Sequence, residues 1–217
     1  MNFPMRCVSY TALLAQESLA AVYRYSRNLF MPTAAPAHRY SLPAIALHWL
    51  LAVALIGLLF FGWYMSGLPF SPTKLKYINW HKWAGVTILL LSVLRLVWRI
   101  THRPPALPAQ VTANMPRWQQ VAHHGVHHLM YLLFFAVPLL GWAYSSAAGF
   151  PIVWFGVWAL PDLVSASPAL AEALKPWHMI TAYTLAVLIV LHIGAALKHQ
   201  FIDRDGLLRR MCPTTTR

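Results

Sequence analysis

The chain has 217 residues, of which 59% are hydrophobic and only 10% charged, with a formal net charge of +12. An ordinary soluble domain carries about a quarter charged residues, so this chain cannot cover itself with polar surface and falls outside the soluble globular class. The basic excess would suggest nucleic acid in a soluble protein; beside apolar spans it sets membrane topology instead, and no nucleic-acid partner is expected.

Residues 1–37 read as an N-terminal extension. The apolar patch Tyr10–Ala15 is short and is followed by Glu17 and scattered arginines, with no apolar signal core or small-residue cleavage site, so no secretory signal is expected. Met31 opens a natural short lead into the first apolar run, which makes residues 1–30 either a disordered tail or an over-extended start. Cys7 and Cys212 stand near opposite ends in no metal-ligand spacing and carry no expected function.

Four stretches, approximately 44–65, 81–101, 124–146 and 177–200, are apolar and long enough to cross a hydrocarbon core, which takes about 20 helical residues. The expected fold is all-α, an integral membrane four-helix bundle occupying residues 38–210, with a tail at 211–217. The segments Leu68–Trp80 and Thr101–Val121 bear prolines and suit short connections between antiparallel helices. Phe150–Leu160 is apolar but short, lies next to Pro151 and Pro161, and contains Trp154 and Trp158; it reads as an interfacial loop rather than a fifth span. Arg6, Arg24, Arg27 and Arg39 precede the first span, Arg99, Arg103 and Arg117 surround the second loop, and Lys198, Arg204, Arg209, Arg210 and Arg217 follow the last span. The positive-inside rule puts both termini and the middle loop in the cytoplasm.

Histidines carry the chemistry. Ionisable side chains are costly in a spanning helix and, where present, usually face the bundle interior and mark function. His48 falls near the cytoplasmic end of the first span, His81 at the opposite end of the second, and His178 and His192 both on the fourth. The fourteen-residue step from His178 to His192 returns to within about 40° of the same helix face, roughly 21 Å along the axis. By depth His48 pairs with His192, and His81 with His178. Two facing imidazoles are what a six-coordinate b-type haem needs, although zinc and copper also bind imidazole. No Cys-x-x-Cys-His run is present, so such haems would be held by ligation and packing alone.

Arg95 lies fourteen residues after His81 on nearly the same face and would be compensated by a haem propionate; Arg99, one turn on, would assist it or snorkel to lipid phosphate. Gly57, Gly62, Gly85, Gly141 and Gly194 are candidates to admit a flat macrocycle or to serve only in helix packing. On the third span His123, His124, His127 and His128 form a cluster, read as contacting propionates or lipid headgroups in preference to a metal ion. Pro138 is expected to kink or loosen that helix.

The runs Arg39-Tyr40-Ser41, Leu47-His48-Trp49-Leu50, Ile78-Asn79-Trp80-His81, Arg95 with Arg99, Ala122-His123-His124 through His127, Tyr131-Leu132-Leu133, and Leu191-His192 through Lys198-His199 together resemble the bacterial cytochrome b-561 family. The resemblance covers about residues 38–210. It implies a multi-pass protein of the bacterial inner membrane with two haem b groups, one ligated by His48 and His192, the other by His81 and His178. It further implies superoxide oxidase activity: superoxide yields an electron on the periplasmic side and ubiquinone is reduced, with His199 at the quinone end or bonding a propionate or lipid phosphate. Lys74, Lys76, Lys82 and Lys175 would then steer the superoxide anion or simply anchor the interface. Two other classes remain open: an electron-transfer subunit anchoring a redox partner protein such as a dehydrogenase or hydrogenase, and a histidine-lined metal transporter. Transport is disfavoured because the Asp and Glu residues are expected in loops and tails, leaving no carboxylate relay.

Overall fold

The computed structural model describes residues 39–212; residues 1–38, which include the N-terminal extension, and residues 213–217 lie outside the described residues. Four long helices dominate: α1 (Leu42–Ser66), α2 (Pro72–Thr101), α4 (Arg117–Ala147) and α5 (Pro168–Lys198), with the short α3 (Ala109–Asn114) between the second and third of these. Each of the four is long and apolar enough to cross a membrane. All begin earlier than hydropathy alone predicts, and three of the starts share one cause. Ser41, Ser71 and Ser167 stand at the N-cap, and a proline follows within the first turn of each helix. Proline there loses no hydrogen bond and has the helical φ already set. Ser71 and Ser167 accept the backbone N–H of Lys74 and Leu170, at 3.2 and 3.3 Å. The early start of α5 places Glu172 on a helix, correcting its expected position in a loop. α4 runs unbroken through Pro138.

The bundle is built by α1 packing on α2, α2 on α4, and α4 on α5, with only sparse contact between α1 and α5. Its apolar core gathers Leu51 and Leu55, Ile88, Met130, Leu133 and Phe134, and Leu185 and Leu188 from the four helices. Little else is covered: in the most apolar windows of α1, α2, α4 and α5 only 17%, 17%, 11% and 6% of residues are buried, so most of the apolar surface faces outward. In lipid such a core is held by van der Waals contact, because the tails around it are as apolar as leucine.

One end of the bundle is capped by an antiparallel hairpin, β1 (Val153–Trp154) and β2 (Trp158–Ala159), turning through left-handed Phe155 and Gly156 at φ 52° and 74°. This is the segment expected as an interfacial loop. It is tied to α2: Trp83 Nε1 donates to the Val153 carbonyl at 2.6 Å, Trp154 Nε1 donates to the Trp83 carbonyl at 3.2 Å, and Lys82 donates to the carbonyls of Phe150 and Pro151. At the other end α5 passes into a π-helical turn, His199–Asp203, and then a 3-10 turn, Leu208–Met211. That turn clasps both the start of α1 and the loop after α2. Trp49 Nε1 donates to the Met211 carbonyl at 2.7 Å, and the buried Arg210 donates to the carbonyls of Pro105 and Ala106 at 3.2 and 2.8 Å beneath the Tyr40 ring.

Candidate cofactor site

The four histidines singled out by depth meet in two pairs. The ring centres of His48 and His192 are 6.2 Å apart, and those of His81 and His178 are also 6.2 Å apart, with ring planes crossed at 71° and 90°. Two imidazoles bound end-on to one metal atom through nitrogen–metal bonds of about 2 Å have ring centres about 6 Å apart. Each gap therefore has the width of one bis-imidazole metal position. The helices carrying these pairs, α1 with α5 and α2 with α5, are not the close-packed neighbours of the bundle.

Glycines shape the pair at the hairpin end. A Cβ on Gly62 would stand 2.9 Å from Cε1 of His81, and one on Gly141 would stand 2.9 Å from Cε1 and 3.1 Å from Nδ1 of His178. These glycines admit the imidazole rings to the helix surface. Gly57, Gly85 and Gly194 have nothing within 4 Å of an added Cβ and make no such contact. With the glycine at 141, His178 Nδ1 reaches the Val137 carbonyl at 3.0 Å and donates its proton there. That bond fixes the tautomer and leaves Nε2 as a free lone pair, as hydrogen bonds from metal-ligating histidines to backbone carbonyls commonly do. His81 Nδ1 is buried without any partner, an orphan polar atom of the kind left where a group outside the polypeptide completes a site.

The pair at the opposite end sits among cations. Arg95 Nη1 lies 3.0 Å from Nδ1 of His48, and its Nε donates to the Tyr131 hydroxyl at 3.1 Å. The guanidinium carbons of Arg95 and Arg99 stand 5.8 and 5.4 Å from the Tyr131 ring centre. No carboxylate pairs with either arginine among the described residues. Arginine only donates, so the Nδ1 it meets must be a lone pair, which puts the ring proton of His48 on Nε2. Arg95 is thus held by two neutral acceptors, the His48 ring and the Tyr131 hydroxyl. His127 completes this level, its ring centre 5.2 Å from that of His192.

The four long helices repeat one spacing. His48 and Gly62 on α1, His81 and Arg95 on α2, His127 and Gly141 on α4, and His178 and His192 on α5 are each fourteen residues apart. Each of these eight residues touches one of the two imidazole pairs or belongs to it. At the helical rise this sets two levels roughly 21 Å apart, and the apolar core lies between them.

Residues 39–214 match the family model described as prokaryotic cytochrome b561. The chain belongs to the cytochrome b561 family. This cytochrome is 33% identical over 180 residues to "Cytochrome b561 homolog 2" of Escherichia coli (strain K12), a match covering 80% of this chain and 90% of that protein. It is 32% identical to "Probable superoxide oxidase CybB" of Yersinia pestis, covering 81% and 96%, and 30% identical to "Cytochrome b561 homolog 1" of Escherichia coli (strain K12), covering 81% and 98%. It is a multi-pass membrane protein of an electron-transfer family.

The remaining predicted residues of this cytochrome are dispersed. His199 belongs to neither imidazole pair and bonds instead to Asp205, Nδ1 to Oδ2 at 2.5 Å. The third-helix cluster divides by face: His123 and His127 are half-buried with ring centres 4.6 Å apart, whereas His124 and His128 are exposed. Among the described residues the one group with metal-ligand spacing is His199, Asp203 and Asp205, not this cluster. Of the lysines at the hairpin end, Lys74 bonds the Leu68 carbonyl, Lys76 lies over the Trp80 ring, and Lys82 bonds the hairpin. Sequence reasoning missed the specific parts of Tyr131, Gly62, Gly141 and Asp205, and also Ser92, whose hydroxyl is buried on α2 without a partner. The fourteen-residue step already noticed on α5 was the available signal for the two glycines.

Proposed function

We propose that this protein is a superoxide:ubiquinone oxidoreductase of the bacterial inner membrane, holding two haem b groups. The observation that carries the reading is the pair of imidazole gaps, equal in width and set at two levels. His48 with His192 and His81 with His178 would hold the irons, and Arg95 and Arg99 the propionates of the nearer group. The residues present fit such groups: neutral nitrogen donors, a tautomer fixed at His178, an orphaned Nδ1 at His81, and glycine cradles behind two rings. When bound, the haems would supply one-electron transfer.

The residues around them have definable tasks. Arg95 would offer its guanidinium donors to a propionate, and His48 beside it an imidazole nitrogen to the metal. Gly62 and Gly141 hold their imidazoles against the helices. The core leucines and Phe134 keep water from the space between the levels. Both termini lie in the cytoplasm, residues 38–210 form the cytochrome domain, and residues 1–37 and 211–217 flank it. Two superoxide anions each give up one electron at the hairpin side and leave as dioxygen. Ubiquinone at the other side takes two electrons and two cytoplasmic protons to become quinol, with His199 serving that end.

Detergent-purified protein should contain two haems per chain by pyridine haemochrome, be reduced by superoxide, and be reoxidised by added ubiquinone. Replacing His178 and His192 together should remove both haems. Protein that folds without haem, or keeps both haems in that double variant, refutes the reading.

A further inference from the structure

We propose that Asp205 is a positioning residue that holds His199 as the proton donor to the quinone, so that the two act as one unit. This rests on the quinone-end role of His199 proposed above and deepens it. The turn after α5 is built around the pair. Arg204 adopts a left-handed φ of 52°, a conformation rarely adopted by a residue with a side chain. The N–H groups of Arg204 and Asp205 both turn back to the His199 carbonyl. Asp205 is thereby brought over the ring six residues earlier in the chain. Its Oδ2 takes the Nδ1 proton of His199 at 2.5 Å, and its Oδ1 takes the Leu207 N–H at 3.0 Å, so neither oxygen is free to rotate away. The two side chains are only 11% and 13% exposed.

A carboxylate on Nδ1 fixes an imidazole in one tautomer and one orientation, leaving Nε2 as the atom that exchanges a proton. Here Nε2 faces the side-chain amide of Gln119 on α4, 3.5 Å away. An amide presents either N–H or C=O by rotating half a turn, so Gln119 can serve Nε2 with or without its proton. Asp203 and Lys198 from the same segment complete the charged surroundings. The same three ligand atoms do not make a cation site: Lys198 already bonds both oxygens of Asp203, at 2.6 and 2.9 Å, and so supplies the positive charge a metal would bring.

Each quinol formed takes two electrons, from two superoxide anions, and two protons. Both protons pass through Nε2, which is recharged from cytoplasmic water, while the Nδ1 proton stays on Asp205's hydrogen bond throughout. The test is a double-mutant cycle on full-length, haem-loaded protein: chemically reduced protein is mixed with short-chain ubiquinone and haem reoxidation is followed by stopped flow. Asp205→Asn keeps an acceptor for Leu207 but cannot hold the tautomer; it should slow reoxidation about tenfold or more, as expected for loss of an oriented acid. His199→Ala should slow it at least as much, and adding Asp205→Asn to His199→Ala should change nothing further. Asp205→Glu should recover part of the rate. Independently of turnover, nitrogen-15 NMR of labelled histidine should show His199 protonated at Nδ1 in the native protein and lose that assignment in Asp205→Asn. Full native rate in His199→Ala overturns the quinone-end role, and the pair with it. A slow His199→Ala combined with additive effects, or with an unchanged His199 tautomer in Asp205→Asn, overturns the pair alone.

Discussion

Gly141→Ala tests whether the glycine cradle matters for cofactor binding. The new Cβ would lie 2.9 Å from Cε1 of His178 and 3.1 Å from its Nδ1, against ordinary contacts of 3.4–4 Å. The ring must therefore retreat by roughly half an ångström to one ångström. The His178 bond to the Val137 carbonyl, 3.0 Å in the native arrangement, would then be stretched to the limit of a hydrogen bond or beyond it. Losing that bond costs about 1 kcal/mol, and forcing a side chain out of a packed position costs about 1–3 kcal/mol. Under the proposed reading, together they would weaken the hold on the haem of the His81–His178 pair by roughly thirty- to nearly a thousandfold. Gly62→Ala presses on Cε1 of His81 just as closely, but His81 Nδ1 has no hydrogen bond to lose. Its effect should be smaller by the hydrogen-bond contribution, about fivefold. Gly57→Ala, with nothing within 4 Å, should be neutral. Haem content per chain and separate potentiometric titration of the two centres measure this. A Gly141→Ala protein with two haems and native spectra, or one no worse than Gly62→Ala, would refute the argument.

Three further substitutions probe the supports of the site. Tyr131→Phe removes the acceptor of Arg95 Nε but leaves the ring under both guanidiniums, so thermal unfolding followed by haem absorbance should show a loss of about 1.5–3 kcal/mol. Arg210→Met takes away the bonds to Pro105 and Ala106; it should destabilise the clasp by about 2–4 kcal/mol and speed proteolysis of the loop after α2 while leaving the hairpin end unchanged. Trp83→Phe deletes the bond to Val153, and amide exchange should rise across Val153–Ala159 with no change near His48.

The spans and the histidine pairs were legible because both follow from periodicity. A spanning helix must be apolar over a fixed length, and a fourteen-residue step keeps one face, so His178 and His192 declare themselves on α5. Helix starts were less legible because hydropathy fades before the helix does: Pro72–Trp80 and Pro168–Pro176 are helical but mixed in polarity. Their capping signals, Ser71-Pro72 and Ser167-Pro168, were in plain sight. The hairpin was read as a loop, since two-residue strands around a left-handed Phe155 leave no alternation to detect. Gly62 and Gly141 could be named as candidates, but whether an absent Cβ admits a macrocycle, a helix or an imidazole depends on what stands opposite. Asp205 was invisible because its role depends on the left-handed Arg204, which local sequence does not announce.

The electrostatics of the spans explain why the two levels differ. α1 has no charged residue, and among the described residues none of the carboxylates, Asp162, Glu172, Asp203 and Asp205, pairs with Arg95. A cation held there by a neutral imidazole and a phenol is poorly compensated, since each offers a lone pair where an anion would offer a full charge. Polar groups buried in a membrane protein persist where function requires them. At the hairpin level the rings are instead held by a backbone carbonyl and by glycine surfaces, without a cation of the Arg95 kind. Under the proposed reading, anionic propionates would settle beside Arg95 and Arg99, and a positive field there favours the reduced, more negative state of the nearer haem. Electrons entering at the hairpin side would then run toward the cations and the quinone. Arg95→Gln should accordingly lower the potential of that haem and leave the other in place. A potentiometric titration in which both centres shift equally would separate a general loss of structure from this local field.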